Sequence, residues 1–231
     1  MARLAAHRMA TILVTRLRRS YRSPPRELLK ACCMSAFEVL VSNITQSFLD
    51  HGYEAMTMSK LAKYCNITRR GLYHHFSSKE EAFRAMVDQN NAHTRQNSIR
   101  EGGQLFSAGS NVLDIVTAVL DVRYGDTRRK LVLSPYALEV NDYAFRLCRP
   151  AMIEAAALFQ ADFAALLEQT MANGLLMLRP SISIETLVQL LCDGARGTNQ
   201  SFFAPEPAEI AARYRAMSQA ILYGCAEPVK L

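Results

Sequence analysis

The stretch that decides the fold is MTMSKLAKYCNITRRGLYHHFSSKE, residues 56–80. Apolar residues in its first part recur at spacings of three and four, which predicts the buried face of a short helix: Met58, Leu61 and Ala62. Thr57 is the candidate N-cap, because its hydroxyl can accept a hydrogen bond from an unpaired amide. Asn66 tolerates the left-handed backbone that ends a helix, so a tight turn is predicted there, with Ile67 as an apolar plug beneath it.

A second short helix is predicted directly after this turn. Thr68 can cap it, and Leu72 and Phe76 supply its buried side. The polar and basic residues of the helix are left to face outward: Arg69, Arg70, Tyr73, His74 and His75. Arginines in the first turn of an exposed helix suit the major groove of DNA, where a guanidinium can donate two hydrogen bonds to guanine.

A third helix is predicted from the capping box that follows. The Ser-x-x-Glu pattern can be drawn as Ser77 with Glu80 or as Ser78 with Glu81. Lys79 then lies beside a helix N-terminus, where backbone amides already favour an anion such as a phosphate. The three helices together predict a helix-turn-helix unit.

The residues of this region resemble the DNA-binding domain of the TetR family of transcriptional regulators. The resemblance spans residues 36–86 and is carried by His51-Gly52-Tyr53, Thr57-Met58, Leu61-Ala62, Ile67-Thr68 and the run from Gly71 to Glu80. It implies base contacts by Arg69, Arg70 and His74. It also implies phosphate contacts by Thr57, Tyr73, His75 and Lys79. Gly71 has no side chain and would only permit a close approach to the DNA.

Each of these residues also has a plainer interpretation. Arg69 and Arg70 could form a solvated surface pair, since exposed charges are common and contribute little. His74 and His75 could likewise be ordinary surface residues. They do not predict a metal site, because adjacent histidines without partners at helical spacing make a poor chelate.

The composition favours an all-α fold. Half of the 231 residues are apolar, and Gly and Pro are sparse, with ten and eight copies. With the resemblance, this implies an N-terminal three-helix helix-turn-helix DNA-binding domain followed by a larger helical domain for ligand binding and dimerisation. The net charge of +6 indicates an anionic partner, here a double-stranded DNA operator.

Three segments are expected along the chain. Residues 1–23 carry six arginines and no acidic residue, and they form either a disordered leader or a basic arm that follows phosphates or enters a minor groove. Residues 24–80 are predicted to be the DNA-binding domain. Its first helix is expected from Ser23-Pro24-Pro25 to Asp50, with four packing residues: Phe37, Leu40, Ile44 and Phe48. Residues 81–231 are predicted to bind an effector and to dimerise.

The predicted helices of the second domain follow apolar periodicity. The first runs from Lys79 to about Ile99 and ends before Gly102-Gly103, and it links the two domains mechanically. The next helix spans residues 111–123 and is broken by Tyr124-Gly125-Asp126, and residues 127–140 form one or two helices interrupted near Ser134-Pro135. A long helix over residues 151–173 starts after Pro150 and ends at Gly174. Two further helices follow, one capped by Ser183 and one over residues 208–223.

An effector pocket is implied by the resemblance, which places a ligand among the central helices of the second domain. Aromatic and sulfur-bearing residues are its candidate lining: Phe106, Tyr136, Tyr143, Phe159, Phe163 and Met171. The alternative is that they are core residues, because Phe and Met at helical spacing often pack inside a protein. Such a lining indicates an apolar or amphipathic small molecule, which Arg146, Arg149 or Glu139 could orient.

The last two helices are the candidate dimer surface, and the resemblance implies a four-helix contact between two subunits. The candidate residues are Leu187, Leu191, Gly194, Gly197, Met217 and Ile221. They could instead close the core of the monomer. A homodimer is favoured because one helix-turn-helix reads few base pairs, and dimers that read two half-sites overcome this.

The sequence lacks the motifs that indicate other classes of protein. None of the six cysteines forms a C-x-x-C pair, so reduced thiols in a cytoplasmic protein are expected, although Cys32-Cys33 could sense redox state. No apolar run approaches the ~20 residues of a membrane span. No nucleophile elbow, H-E-x-x-H or Walker A motif indicates an enzyme, and no cofactor or metal is implied.

We expect a ligand-responsive repressor that binds a palindromic operator; the alternative is a DNA-binding activator or co-regulator whose second domain only dimerises.

Overall fold

The computed structural model describes residues 35–200 and 206–225, with the side chain of Cys225 excepted. Contacts divide the chain into two units between Val39 and Leu40. Only residues 35–39 of the first unit are described, and both hydrophobic cores lie within the second unit. The predictions for the leader at residues 1–23, for the helix start at residues 23–25 and for Cys32-Cys33 lie outside the described residues.

The described residues form α-helices and one π-helical turn, without a β-strand, which confirms the all-α prediction. The helices are α1 (Ala36–His51), α2 (Met58–Tyr64), α3 (Arg69–His75), α4 (Lys79–Ser107), α5 (Val112–Leu120), the π-helical turn (Asp121–Gly125), α6 (Asp126–Val132), α7 (Ala137–Ala172), α8 (Ile184–Asn199) and α9 (Ile210–Cys225).

The predicted caps of the first short helices are confirmed. Thr57 caps α2, with its hydroxyl oxygen accepting from the Lys60 amide at 3.3 Å, and Thr68 caps α3 by accepting from the Gly71 amide at 3.0 Å. At α4 the second of the two possible capping boxes forms, since Ser78 accepts from the Glu81 amide at 3.1 Å. These bonds pair amides that a helix N-terminus otherwise leaves unpaired.

Asn66 ends the turn between α2 and α3 with a φ of 55°. A left-handed backbone costs most L-residues roughly 1–2 kcal/mol, and Asn and Gly tolerate it best. We therefore expect Asn66→Ala to lower the free energy of unfolding by about 1 kcal/mol and Asn66→Gly to leave it nearly unchanged. Urea denaturation of both variants measures this difference, and equal losses would contradict the proposed role of the backbone angle.

The first core lies beneath the helix-turn-helix. It joins α1, α2, α3 and the first turns of α4, which together we call the reading head. The expected packing residues Leu40, Ile44 and Phe48 are buried, but Phe37 is 46% exposed, so that prediction was wrong for Phe37. Ile67 is 36% exposed, more than expected of an apolar plug beneath the turn, whereas Leu72 and Phe76 are buried.

The N-terminal half of α7 packs against the reading head. Its Glu139 carboxylate accepts a hydrogen bond from the Glu54 amide at 2.7 Å, and the Tyr143 hydroxyl donates to the Glu54 carboxylate at 2.7 Å. The rings of Tyr143 and Tyr53 lie 4.1 Å apart. A Cβ on Gly52 would come within 2.5 Å of the Glu139 carboxylate, so this close approach requires glycine.

The second core, which we call the body core, joins α5, the C-terminal half of α7, α8 and α9. Helix α4 passes along it without ending at Gly102-Gly103, contrary to the sequence prediction. A Cβ on Gly102 would lie 2.5 Å from Val119 and 2.6 Å from Leu166. This glycine therefore serves close helix packing and does not end the helix.

Two other predicted breaks are absent from the described helices. Pro150 lies inside α7, which starts at Ala137 and runs through the proline to Ala172. Tyr124-Gly125-Asp126 does not end a helix either, because the π-helical turn carries the backbone from α5 directly into α6. A π-helical turn adds a residue to one helical turn and is frequent at functional sites.

Helix α7 is also long and apolar enough to cross a membrane, judged by length and composition only. This finding differs from the sequence expectation, because the continuous helix is longer than the predicted one. It is weak evidence for a span, since core helices of soluble proteins pass the same test. The buried residues Phe159, Phe163 and Leu167 of α7 belong to the body core.

Candidate nucleic-acid interface

Helix α3 presents one polar face to solvent and one apolar face to the reading head. Leu72 is fully buried, and Phe76, directly after the helix, is 3% exposed. The predicted DNA-contacting residues of the helix are all exposed: Arg69, Arg70, Tyr73, His74 and His75. The apolar side thus fixes the orientation of the helix and leaves its basic side available to a partner.

Basic residues are concentrated in the segment that carries this face. Residues 55–79 contain five Lys or Arg and no Asp or Glu. Besides the arginines of α3, Lys60 and Lys63 on α2 are exposed. A cluster of basic side chains is the kind of surface that attracts the phosphate backbone of DNA, independently of base sequence.

Arg69 lies along the exposed ring of Tyr73. Its guanidinium carbon is 5.4 Å from the ring centroid, and its Nη2 is 3.5 Å from the Tyr73 hydroxyl. Both side chains are exposed to solvent. Gly71 leaves open space on the helix surface. A Cβ atom added to Gly71 would have only the Thr68 hydroxyl oxygen within 4 Å, at a distance of 3.1 Å.

Lys79 and Thr57 flank the face at two helix N-termini. The Lys79 ammonium donates to the Tyr53 carbonyl at 2.9 Å and lies 4.0 Å from the centroid of the Tyr53 ring. Partial burial lowers the pKa of Lys79, while the nearby Glu54 and Glu139 carboxylates act in the opposite direction. The Thr57 hydroxyl oxygen accepts in its cap, which leaves its proton to donate.

The predicted pocket residues do not form one group. Tyr136 and Tyr143 pack against the core of the reading head, whereas Phe159 and Phe163 are fully buried in the body core, with ring centroids 5.6 Å apart. Phe106 packs against the body core and Met171 is 37% exposed. These side chains therefore belong to two separate places in the fold.

Arg123 is a buried cation that the sequence analysis missed. It lies in the π-helical turn, is 7% exposed, and has its guanidinium carbon 5.2 Å from the Phe159 ring and 5.3 Å from the Tyr124 ring. A signal was present, because Arg123 continues the buried stripe of α5 at helical spacing from Val116 and Val119. An arginine at such a position is an unusual core residue.

The predicted dimer residues fall into two groups. Leu187 and Leu191 are fully buried inside the single subunit, so their side chains have no exposed area left for a partner. Gly194 faces Met217 within the subunit, because a Cβ on it would lie 2.6 Å from the Met217 sulfur and 3.2 Å from Ile221. Gly197 is exposed and has no atom within 4 Å of its Cβ position.

The described cysteines are free and buried: Cys65, Cys148 and Cys192. Burial raises the pKa of the Cys65 thiol to about 11 and also raises the pKa of the other two. A raised thiol pKa disfavours the reactive thiolate. Across residues 35–200 and 206–225, no group of three or more His, Cys, Asp or Glu could hold a metal ion.

Comparison with known proteins gives a family match for the reading head. Residues 40–86 match the sequence profile of the bacterial regulatory proteins of the tetR family. Comparison with curated proteins gives no significant match.

Solved structures share the fold over most of the chain. The fatty acid degradation regulator FadR from Bacillus halodurans is 15% identical with a TM-score of 0.61, covering 83% of this chain and 97% of that one. A TetR-family transcriptional regulator from Pectobacterium atrosepticum is 16% identical with a TM-score of 0.59, covering 85% and 100%. SmeT, the repressor of a Stenotrophomonas maltophilia multidrug efflux pump, is 15% identical with a TM-score of 0.56, covering 86% and 94%. At these identities the likeness establishes the fold alone.

Proposed function

Since the chain carries the DNA-binding domain of the TetR family on the helical fold of solved regulators of that family, we propose that it is a ligand-responsive repressor. It binds a palindromic operator as a homodimer in the cytoplasm, and a small effector releases it. The observation that carries the proposal is the exposed basic face of α3, whose opposite, apolar side is buried through Leu72 and Phe76. The division into a DNA-binding domain at residues 24–80 and an effector-binding and dimerisation domain at residues 81–231 is part of the proposal.

The reading head divides its contacts between bases and phosphates. We assign base edges to Arg69, Arg70 and His74, because the first turns of a recognition helix enter the major groove. Phosphates are assigned to residues at the flanks of that helix and at the neighbouring helix N-termini: Thr57, Tyr73, His75 and Lys79. Phosphate contacts position the head, and base contacts provide specificity.

Replacing Lys79 by alanine is expected to weaken binding to all duplexes about equally and to reduce the salt dependence of log K by roughly one unit of slope. The reason is that its charge acts on phosphate and releases one counterion. Fluorescence anisotropy titrations at several salt concentrations measure the slope. Lys130→Ala, which removes an exposed lysine of α6, is the matched control and should leave the slope unchanged. A loss confined to one DNA sequence would contradict the assignment of Lys79.

The outward face of α8 and α9 suits the dimer contact better than the buried leucines do. Exposed small or apolar residues recur on this face at helical spacing, and on α8 they flank the exposed Asp193, which pairs with Arg196. They are Leu190 and Gly197 on α8, and Ala212, Ala216, Ala220 and Tyr223 on α9. Small side chains permit close approach of two helix pairs, and Leu190 and Tyr223 add apolar area. Gly194, Met217 and Ile221 support this face from inside the subunit.

Helix α4 and the contacts of α7 supply a mechanical path between effector and operator. Helix α4 begins in the reading head at Lys79 and continues along the body core to Ser107. An effector that binds better to a state with splayed heads shifts the population away from the DNA-competent state. Regulators of this fold described as controlling fatty acid degradation and drug efflux support an amphipathic or apolar effector.

Selection of duplexes from a random-sequence pool by the full-length protein tests the proposed function. We expect an enriched inverted repeat whose half-site centres lie about one helical turn, or 34–36 Å, apart. No enriched sequence, or an enriched single site without symmetry, would refute a palindromic operator.

A further inference from the structure

The buried guanidinium of Arg123 is the strongest feature that DNA recognition does not use. We propose that it binds the carboxylate of the effector, so that the effector is an amphipathic organic acid and not a neutral apolar compound. This inference rests on the proposed function, because it specifies the ligand of the effector-binding domain.

Arg123 is held by neutral partners and is incompletely bonded. Its Nη1 donates to the Thr94 hydroxyl at 2.8 Å, and its Nη2 donates to the Asn91 side-chain carbonyl at the longer distance of 3.3 Å. Its Nε is buried and has no hydrogen-bond partner. Since buried polar groups are nearly always bonded, an unbonded N–H of a charged group marks a place where an acceptor is missing.

No carboxylate of the described chain pairs with Arg123. Three acidic residues of the surrounding helices pair with other arginines: Asp121 with Arg129 at 2.8 Å, Asp162 with Arg95 at 2.7 Å, and Asp193 with Arg196 at 2.5 Å. Burial lowers the pKa of Arg123; Tyr124 and Cys192 act in the opposite direction, and the charges of Arg196 and Arg95 lower it further. An uncompensated buried cation is strongly unfavourable, and a bound anion would remove that cost.

The available edge of the guanidinium fits a carboxylate. Nε and Nη2 point in the same direction and form the edge on which a carboxylate accepts two parallel hydrogen bonds. This edge comprises the unbonded nitrogen and the weakly bonded one. The rings of Phe159 and Tyr124 lie beside the guanidinium at 5.2 and 5.3 Å and provide an apolar environment for the remainder of the acid.

The position of Arg123 also connects the acid to the reading head. Asn91 and Thr94, which hold the guanidinium, both lie on α4, the helix that begins in the reading head. An acid bound at Nε and Nη2 lies directly beside the hydrogen bonds that hold α4 against the π-helical turn, and it neutralises the charge of the guanidinium that makes them. Because the buried Nε has no contact with solvent, the acid enters only when the surrounding helices separate, which couples binding to helix movement.

Matched pairs of acids and neutral analogues test the proposal on the full-length protein. The probes are decanoate with decan-1-ol and 1-naphthoate with 1-naphthylmethanol, measured by calorimetry and thermal shift. The wild-type protein should bind at least one acid roughly 10- to 100-fold more tightly than its neutral partner, as expected for hydrogen bonds to a charged group. Arg123→Met should abolish this preference, and Arg123→Lys should keep part of it.

Arg100→Met is the control, because Arg100 is an exposed arginine of α4 with no proposed role in effector binding, and the acid preference should survive its replacement. Removal of an unpaired buried charge should also raise the Tm of Arg123→Met by about 2–4 °C. If that variant fails to fold, Arg123→Gln replaces it. Equal binding of acid and neutral analogue in both pairs, absence of acid binding, or a preference that persists without Arg123 would overturn the proposal. Duplex selection by the wild-type protein without acid tests the proposed function separately.

Discussion

Arg69→Ala is expected to lower the affinity for the selected duplex by roughly 10- to 100-fold and to relax the preference for one base in each half-site. This loss corresponds to roughly 1–3 kcal/mol, the discrimination of one bidentate contact between arginine and guanine. Arg69 is exposed in the first turn of α3 and is held beside Tyr73. Titration of the selected duplex and of single-base variants, by anisotropy, measures both effects.

The Arg69→Lys variant distinguishes the contribution of the guanidinium geometry to DNA binding from the contribution of the positive charge. Lysine keeps the positive charge but lacks the planar fork that matches guanine. We expect it to restore affinity for unrelated DNA but not the base preference. A full recovery with lysine, or a uniform loss across all sequences with alanine, would show that Arg69 contacts phosphate and that the recognition helix is oriented differently.

Phe83→Ala is expected to lower the free energy of unfolding by roughly 3–5 kcal/mol, the usual cost of truncating a buried phenylalanine to alanine. Phe83 is fully buried where α4 enters the reading head. Its ring meets the rings of Phe48 and Tyr53 edge-on, with centroids 5.1 and 5.0 Å away. The resulting cavity would loosen the support beneath α3, so operator affinity should fall as well. Urea denaturation measures the stability change.

Phe145→Ala is the matched control for Phe83→Ala. Phe145 is the same residue type on α7 and is 47% exposed. Its replacement should change the free energy of unfolding by no more than about 0.5 kcal/mol, as is usual for surface positions. Similar losses in the two variants would mean that the reading head is not organised around Phe83.

The reading head could be predicted from sequence because its determinants are local. Caps at Thr57 and Thr68, the left-handed Asn66, and apolar spacing at Leu72 and Phe76 each depend on a few neighbouring residues. The structure confirms these features. The expectation for Phe37 was wrong because helical spacing does not show how far a core extends along a helix.

The helices after the reading head were harder to predict because their determinants lie far apart in the chain. Gly102 looked like a helix end, but its role depends on Val119 and Leu166, which approach it from other helices. Pro150 looked like a helix start, yet it lies within the continuous α7. The structural roles of such residues depend on tertiary packing, and the spacing of apolar residues along the chain does not reveal that packing.

The predicted effector pocket shows the same limitation. Aromatic residues at helical spacing look alike whether they line a pocket, fill a core or join two parts of a fold. Tyr143 contacts the reading head, while Phe159 packs in the body core beside Arg123. The proposal for Arg123 came from its missing hydrogen-bond acceptor and missing counterion, which only three-dimensional contacts reveal.

The central claim is that two copies of α3 enter successive major grooves on one face of the duplex. Guanine-N7 methylation interference on the selected duplex tests it most directly, because N7 lies in the major groove. We predict two symmetric patches of interference whose centres are about one helical turn apart. A single patch, or binding that major-groove methylation does not affect, would contradict the claim.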